Sequence, residues 1–280
     1  MADISRRQFV AAAGFMAAAG MGMRANPLGM PIGCQTYPVR TNLQTDFPGT
    51  IKMLTDAGFQ TIELCSPVGY KEFSGLAKYT GKELKKMLND MGVTCVSCHF
   101  GLRELRQNQA ERIAWASDMG MTQMAVASLS GPKNPTMDDV KKAADEYNKF
   151  GEQAQKAGIW QTLHNETFET SMVGDRRTYD VLFELLDPKL VKFQFQVSTI
   201  ADGFDAAEYF RKYAGRFISM HAQGWNMDAK QQVAIGSAQD SLDWKKIFAA
   251  AKAGGIQNYF VEMNYELMKA SVPYLKSLQV

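Results

Sequence analysis

The chain has 280 residues, 46% of them hydrophobic and 21% charged, with a formal net charge of +2. That composition excludes an intrinsically disordered chain and a multi-span membrane protein. The near-neutral balance, without any basic run, excludes the cationic stripe that sequence-independent nucleic-acid binding requires.

Residues 1–25 read differently from the rest. Ser5-Arg6-Arg7-Gln8-Phe9-Val10 leads into an uncharged stretch rich in Ala, Gly and Met that runs to Met23. Its apolar part is too short and too Gly-rich for a membrane-spanning helix, which needs about 20 apolar residues. Arg-Arg placed ahead of Phe and an apolar run resembles a twin-arginine export signal. The resemblance implies cleavage near Ala19 or Ala25 and a periplasmic or exported product with no membrane attachment once the signal is removed. Export in the folded state would suit a protein that receives a metal in the cytoplasm. The globular domain is predicted over 28–280.

From there, amphipathic helical stretches end in Ala-Gly, Met-Gly or Gly-Gly and short β-prone runs follow at once. A glycine just past the last helical turn closes the helix in the left-handed conformation. In chain order, strands are predicted at 31–37, at 59–64 after Gly58, at 93–98 after Gly92, at 121–126 after Gly120, at 159–163 after Gly158, at 191–197 after the stop Asp187-Pro188, at 216–220 after Gly215 and at 256–261 after Gly255. Helices are predicted over 47–57, 81–90, 111–119, 137–157, 177–186, 205–213, 244–253 and 267–278. Strict alternation means parallel strands joined by helical crossovers, and eight such units close into a (β/α)8 TIM barrel, an α/β fold in one domain. A doubly wound open sheet is disfavoured because no Gly-rich phosphate turn follows the first strand. The irregular segments 66–79, 128–135 and 222–241 are expected as loops over the active-site face.

Cys95 and Cys98 have a Cys-x-x-Cys spacing, but both fall in one predicted strand. Three residues apart there, they are expected on opposite faces, unable to share a metal. With Cys34 and Cys65 they are read as small buried apolar residues.

Function in such a barrel collects at the C-terminal ends of its strands. The polar residues predicted there are Glu63, His99, His164, Gln196, His221 and Glu262, which include all three histidines of the chain. Imidazole and carboxylate converging from neighbouring strands suit a borderline divalent ion such as Mn, Zn, Fe or Co. A hydrogen-bonded histidine at the barrel rim is the competing reading of each one taken singly.

Several short motifs accompany these residues: Ile32-Gly33-x-Gln35-x-Tyr37, Ile62-Glu63-Leu64, Val96-Ser97-Cys98-His99, His164-Asn165-Glu166-Thr167-Phe168-Glu169, Ser219-Met220-His221, Phe260-Val261-Glu262 and Asp243-Trp244. Together they resemble the xylose-isomerase-like TIM barrels, the superfamily of sugar phosphate isomerases and epimerases, over nearly the whole chain from Pro31. The resemblance implies a metal held by His164, Gln196, His221 and Glu262. His164 stands where many members have Glu, Gln196 where they have Asp, and Gln223 where close relatives often have Lys. Gln196 brings only an amide oxygen, so a weakened metal site is expected.

The expected chemistry is abstraction of a proton next to a sugar carbonyl at that site, with Glu262, His164 or Glu166 as the base. Glu63, His99, Glu169, Phe168, Gln223 and Trp225 are the candidate substrate contacts. The alternative on the same site is a keto-glycoside lyase or dehydratase, in which the same first step expels a leaving group. A non-catalytic sugar-binding barrel is a third reading, motivated by the weakened ligand set. The DNA-repair branch of the superfamily is disfavoured, because three histidines fall short of a three-metal site.

Overall fold

The structure is a computed structural model that describes residues 26–280; the export signal predicted over 1–25 lies outside them. Eight strands form a closed barrel: β1 (Gly33–Gln35), β2 (Thr61–Cys65), β3 (Thr94–His99), β4 (Gln123–Val126), β5 (Trp160–Leu163), β6 (Val191–Gln196), β7 (Phe217–Ala222) and β8 (Asn258–Val261). Each pairs in parallel with its neighbours in sequence, and β8 closes on β1 through Gly33 opposite Phe260 and Cys34 opposite Val261. The fold is therefore the α/β barrel that the alternation implied.

The crossover helices are α1 (Phe47–Ala57), α2 (Gly81–Asp90), α3 (Leu102–Met119), α4 (Met137–Lys156), α5 (Thr178–Leu185), α6 (Ala206–Lys212) and α7 (Trp244–Gly254), and α8 (Tyr265–Ser277) follows β8. Local chemistry sets their ends. The Thr80 hydroxyl accepts from the Glu83 N–H while the Glu83 carboxylate accepts from the Thr80 N–H, a reciprocal cap that starts α2; Thr136 and Asp139 do the same for α4. Gly58 closes α1 at φ 107°, a conformation open to glycine, and its N–H satisfies the last carbonyls before the chain enters β2.

Two layers of packing result. Between strands and helices lies the apolar core, with a fully buried aromatic group of Tyr179, Phe193, Phe195, Phe210 and Phe217 on the β6–β7 side. Each such side chain contributes about 1.5–3 kcal/mol by leaving water. Inside the barrel the layer is polar instead: Gln35, Glu63, Ser97, Gln123, Gln194 and Ser219 are all buried. These groups satisfy one another across the ring. The Gln123 amide, for example, donates to the Ser97 hydroxyl at 2.8 Å and to the Ser219 hydroxyl at 3.1 Å.

The structure departs from the sequence reading in several places, among them an additional α-helix at Arg40–Thr45 and a 3-10 turn at Val197–Asp202. Helix α3 begins at Leu102, not at residue 111, because the Glu104 carboxylate caps the Gly101 N–H at 2.6 Å; its path is broken at Asn108. Two short hairpins form that were not expected: Gly224–Asn226 with Gln231–Val233 lies within the expected loop 222–241, and Met172–Val173 with Arg176–Arg177 takes in residue 177, read as the start of a helix. A 3-10 turn occupies Lys71–Leu76. A further departure concerns Cys95 and Cys98. The β2–β3 register slips by one residue at Val96, so Cys95 pairs with Ile62 and Cys98 with Leu64. Ile62 and Leu64 share a face, so this bulge places both thiols on the outer side, against the expectation of opposite faces. Both are free and buried, and burial raises the Cys95 pKa to about 12.

Candidate functional site

Five of the six predicted strand-end groups gather at one mouth, and the sixth lies just below them. His99 and Gln196 are the last residues of β3 and β6, His164 and Glu262 follow β5 and β8 directly, and His221 is the penultimate residue of β7. Glu63 sits one level lower, in the middle of β2.

Glu63 is the hub. It is fully buried, and its Oε2 lies 2.5 Å from His221 Nε2 and 3.3 Å from His99 Nε2 and accepts from the Gln35 amide at 3.0 Å. Its Oε1 accepts from the Gln194 amide at 2.8 Å and from the Ser97 hydroxyl. Gln194 in turn presents its Oε1 to His99 Nε2 at 2.7 Å. On the opposite side of the His221 ring, Nδ1 lies 3.1 Å from Glu262 Oε2. That same oxygen accepts from the Gln223 amide at 2.8 Å and the Gln196 amide at 3.2 Å. The three imidazoles pack together, with centroids 4.4 Å apart for His164 and His221 and 5.3 Å apart for His99 with each of the others.

The charges follow from this arrangement. Burial alone would lower the His221 pKa, but the carboxylates of Glu262 and Glu63 outweigh it and raise it to about 10. His164 goes the other way: burial, with the neighbouring His221 and His99, holds it well below the ordinary histidine range, so it is neutral. Burial pushes Glu262 up, and the His221 charge and hydrogen bond more than offset that, leaving it below the usual carboxylate range. Glu166, whose side chain is 45% exposed with Oε1 3.7 Å from His164 Nε2, is raised, mainly by burial.

Of the predicted ligands, then, Gln196, His221 and Glu262 are in mutual contact and His164 packs against His221. Among the predicted substrate contacts, Gln223 is buried and holds Glu262 while its Oε1 accepts from the Ser198 N–H at 3.0 Å. Phe168 is buried with its ring against Gly131, and Glu169 is fully buried with Oε1 accepting from the Leu129 N–H at 2.9 Å. Both of these tie the loop after β5 to the loop after β4. Trp225 is half-buried in the hairpin after β7, its indole N–H buried without a partner. Gln35 and Gln194 were missed as site residues. The signal for Gln194 was present in Phe193-Gln194-Phe195-Gln196, where amides alternate with phenylalanines and so must face the barrel interior together.

Two features test whether a divalent ion fits. Neither His164 nitrogen nor Gln196 Oε1 has a hydrogen-bond partner, which leaves one lone pair on the neutral His164 ring and that of the amide oxygen buried and unsatisfied. His99, His164 and His221 each offer a nitrogen, and these lie within 4.8 Å of one another. Unsatisfied buried lone pairs are costly, and a borderline cation would satisfy them. The residues fit such an ion.

A model of the xylose isomerase-like TIM barrel family matches residues 51–278. The chain belongs to that family. Among solved structures, this xylose isomerase-like barrel resembles a sugar phosphate isomerase/epimerase from Parabacteroides distasonis, at 25% identity and a TM-score of 0.71, over 88% of this chain and 93% of that one. It also resembles an L-ribulose 3-epimerase, at 18% identity and a TM-score of 0.64, over 88% and 93% of the two chains. The IOLI protein, solved with a bound zinc atom, matches at 13% identity and a TM-score of 0.67 over 89% and 94%. The last two likenesses concern the fold alone. No curated protein matches the chain.

Proposed function

We propose that this barrel is a sugar isomerase/epimerase-like enzyme that abstracts a proton next to a sugar carbonyl at a divalent-metal site. The observation that carries the reading is the pair of carboxylates beside the histidine cluster, whose surroundings drive their proton affinities apart: Glu262 is held ionised and Glu166 is raised. Such a divergence marks an acid and base assignment at one reacting centre. His164, Gln196 through Oε1, His221 and Glu262 would hold the metal, which when bound polarises the sugar carbonyl and its neighbouring hydroxyl.

The protein groups supply the rest. Glu262 is fixed by Gln196, Gln223 and His221 through one oxygen, Oε2. Glu166, half-exposed at the rim, is placed to take or return a proton on the substrate side. The unpartnered Trp225 N–H suits a sugar hydroxyl, and the face of its indole suits the apolar side of a sugar. The relatives' names, a sugar phosphate isomerase/epimerase and an L-ribulose 3-epimerase, support a small sugar as substrate.

The test is incubation with free ketoses and with 3-keto glycosides in deuterated water, followed by NMR. Deuterium beside the carbonyl with the skeleton intact, lost in Glu262→Gln, is the expected result. Loss of an aglycone would make the protein a lyase instead, and sugar binding without exchange would make it a non-catalytic barrel. Ser5-Arg6-Arg7-Gln8-Phe9 supports export to the periplasm as part of this proposal; finding the unprocessed chain in the cytoplasm would contradict it.

A further inference from the structure

The hydrogen bonds around Glu63 fix which nitrogen of each ring can bind anything else. A carboxylate accepts only, so the Gln194 amide nitrogen must be the atom facing Glu63 Oε1 at 2.8 Å. That leaves Gln194 Oε1 facing His99 Nε2 at 2.7 Å, and an acceptor there requires His99 Nε2 to carry the proton. The same reasoning applies to His221, whose Nε2 lies 2.5 Å from Glu63 Oε2. In a neutral His99 ring the lone pair is therefore confined to Nδ1, whereas His221, whose Nδ1 faces Glu262 Oε2 at 3.1 Å, carries a proton on both nitrogens in the metal-free protein, and its Nδ1 becomes a ligand once a metal displaces that proton. His164, with neither nitrogen hydrogen-bonded, packs against both rings.

We propose that Glu63 is the positioning residue of the metal centre: by holding the Nε2–H of both His99 and His221 it presents their Nδ1 atoms as ligands, so that His99 joins His164 and His221 in a three-imidazole site selective for zinc or cobalt over magnesium. The inference rests on the metal reading above and adds to it a ligand, an orienting residue and a class of ion. Imidazole favours zinc, iron, cobalt and nickel, whereas carboxylate and water suit magnesium and manganese. A buried carboxylate behind a ligating imidazole fixes the ring, and its loss reduces metal affinity by about 10–100-fold.

The experiment uses the full domain stripped of metal, with zinc, cobalt and magnesium as probes and long-range proton–nitrogen NMR of the three imidazoles. In the wild type, His99 and His221 are expected to keep Nε2–H when zinc is added while their Nδ1 signals shift, and zinc is expected to bind at one equivalent and far more tightly than magnesium. Glu63→Gln places an amide NH2 where two or more donors already point. It is expected to lower zinc affinity by about 10–100-fold and to leave His99 without its Nε2–H preference. His99→Gln is expected to weaken zinc and cobalt and leave magnesium unchanged. Zinc seated on Nε2, or zinc affinity unchanged in both variants, overturns the proposal. If Glu63→Gln does not fold, the wild-type spectrum alone decides, because a neutral His99 ring with its single proton on Nδ1 in the metal-free protein contradicts the assignment. A wild type that takes up no ion overturns the underlying metal reading, an outcome distinct from ion binding that is indifferent to residues 63 and 99.

Discussion

Replacing Glu262 by Gln in the metal-free protein removes one negative charge and keeps the shape of the side chain. In the wild type His221 titrates near 10, against 6.5 for an ordinary histidine, and Glu262 is the foremost group raising it. Between those two values the folded state holds a proton that the unfolded chain has released. A raised folded pKa contributes stability that is complete below pH 6.5 and is lost as pH climbs towards 10. The slope of that loss is about 1.4 kcal/mol per pH unit, which sums to several kcal/mol over the window. In Glu262→Gln the His221 pKa falls and the window closes early. The stability advantage of wild type over variant should therefore shrink between pH 8 and pH 10 by at least ~1.4 kcal/mol. Urea unfolding of both proteins in a chelator, at half-unit pH intervals, measures this. Taking the difference cancels the contributions of the buried thiols and of Glu169, which are common to both. Parallel stability curves from pH 7 to pH 10 would refute the coupling between His221 and Glu262.

Further outcomes follow from single contacts. Burial raises the Glu169 carboxyl to about 8, so wild-type stability conferred by its neutral form is present below pH 4.5 and lost as pH rises through 8; Glu169→Gln should gain on wild type at pH 9 relative to pH 4.5, read as a urea midpoint at each pH. Gly33→Ala would place a Cβ 2.4 Å from the Tyr259 carbonyl oxygen at the β1–β8 seam, and a loss of about 1–3 kcal/mol is expected by the same assay; an unchanged midpoint would mean the two strands are further apart. Gln196→Asp restores a carboxylate at the end of β6 and should tighten manganese or magnesium by at least about tenfold, ~1.4 kcal/mol, by isothermal titration.

Much of the barrel was legible because its signals are local. Gly58, Gly92, Gly120, Gly158, Gly215 and Gly255, chosen from the sequence as helix stops, all adopt positive φ, and each precedes a barrel strand within a few residues. The convergence of His221 and Glu262 was legible for a topological reason: parallel strands all point the same way, so strand-end residues meet whatever their separation along the chain. What was hidden depends on pairing across strands. Nothing within 94–99 marks Val96 as the residue that slips out of register, because the bulge arises from how β3 matches β2, and with it goes the face of Cys95. A second slip at Ile218, between β6 and β7, is equally silent in sequence. Glu63 was read as a candidate substrate contact; its depth in β2 surrounds it with Gln35, Ser97, Gln194 and two histidines, partners drawn from four strands. Glu169, read as a candidate substrate contact, likewise carries no sign in sequence of its full burial or of its bond to the Leu129 N–H.

The central claim is that side chains from β5, β7 and β8 form one divalent-ion centre at the barrel mouth. Anomalous diffraction at the zinc or cobalt edge, from crystals of the domain grown with that ion, tests it most directly. The expected result is a single strong peak about 2.0–2.2 Å from nitrogens of His164 and His221 and from a Glu262 oxygen. A peak bound elsewhere, or none at a saturating concentration of the ion, would contradict it.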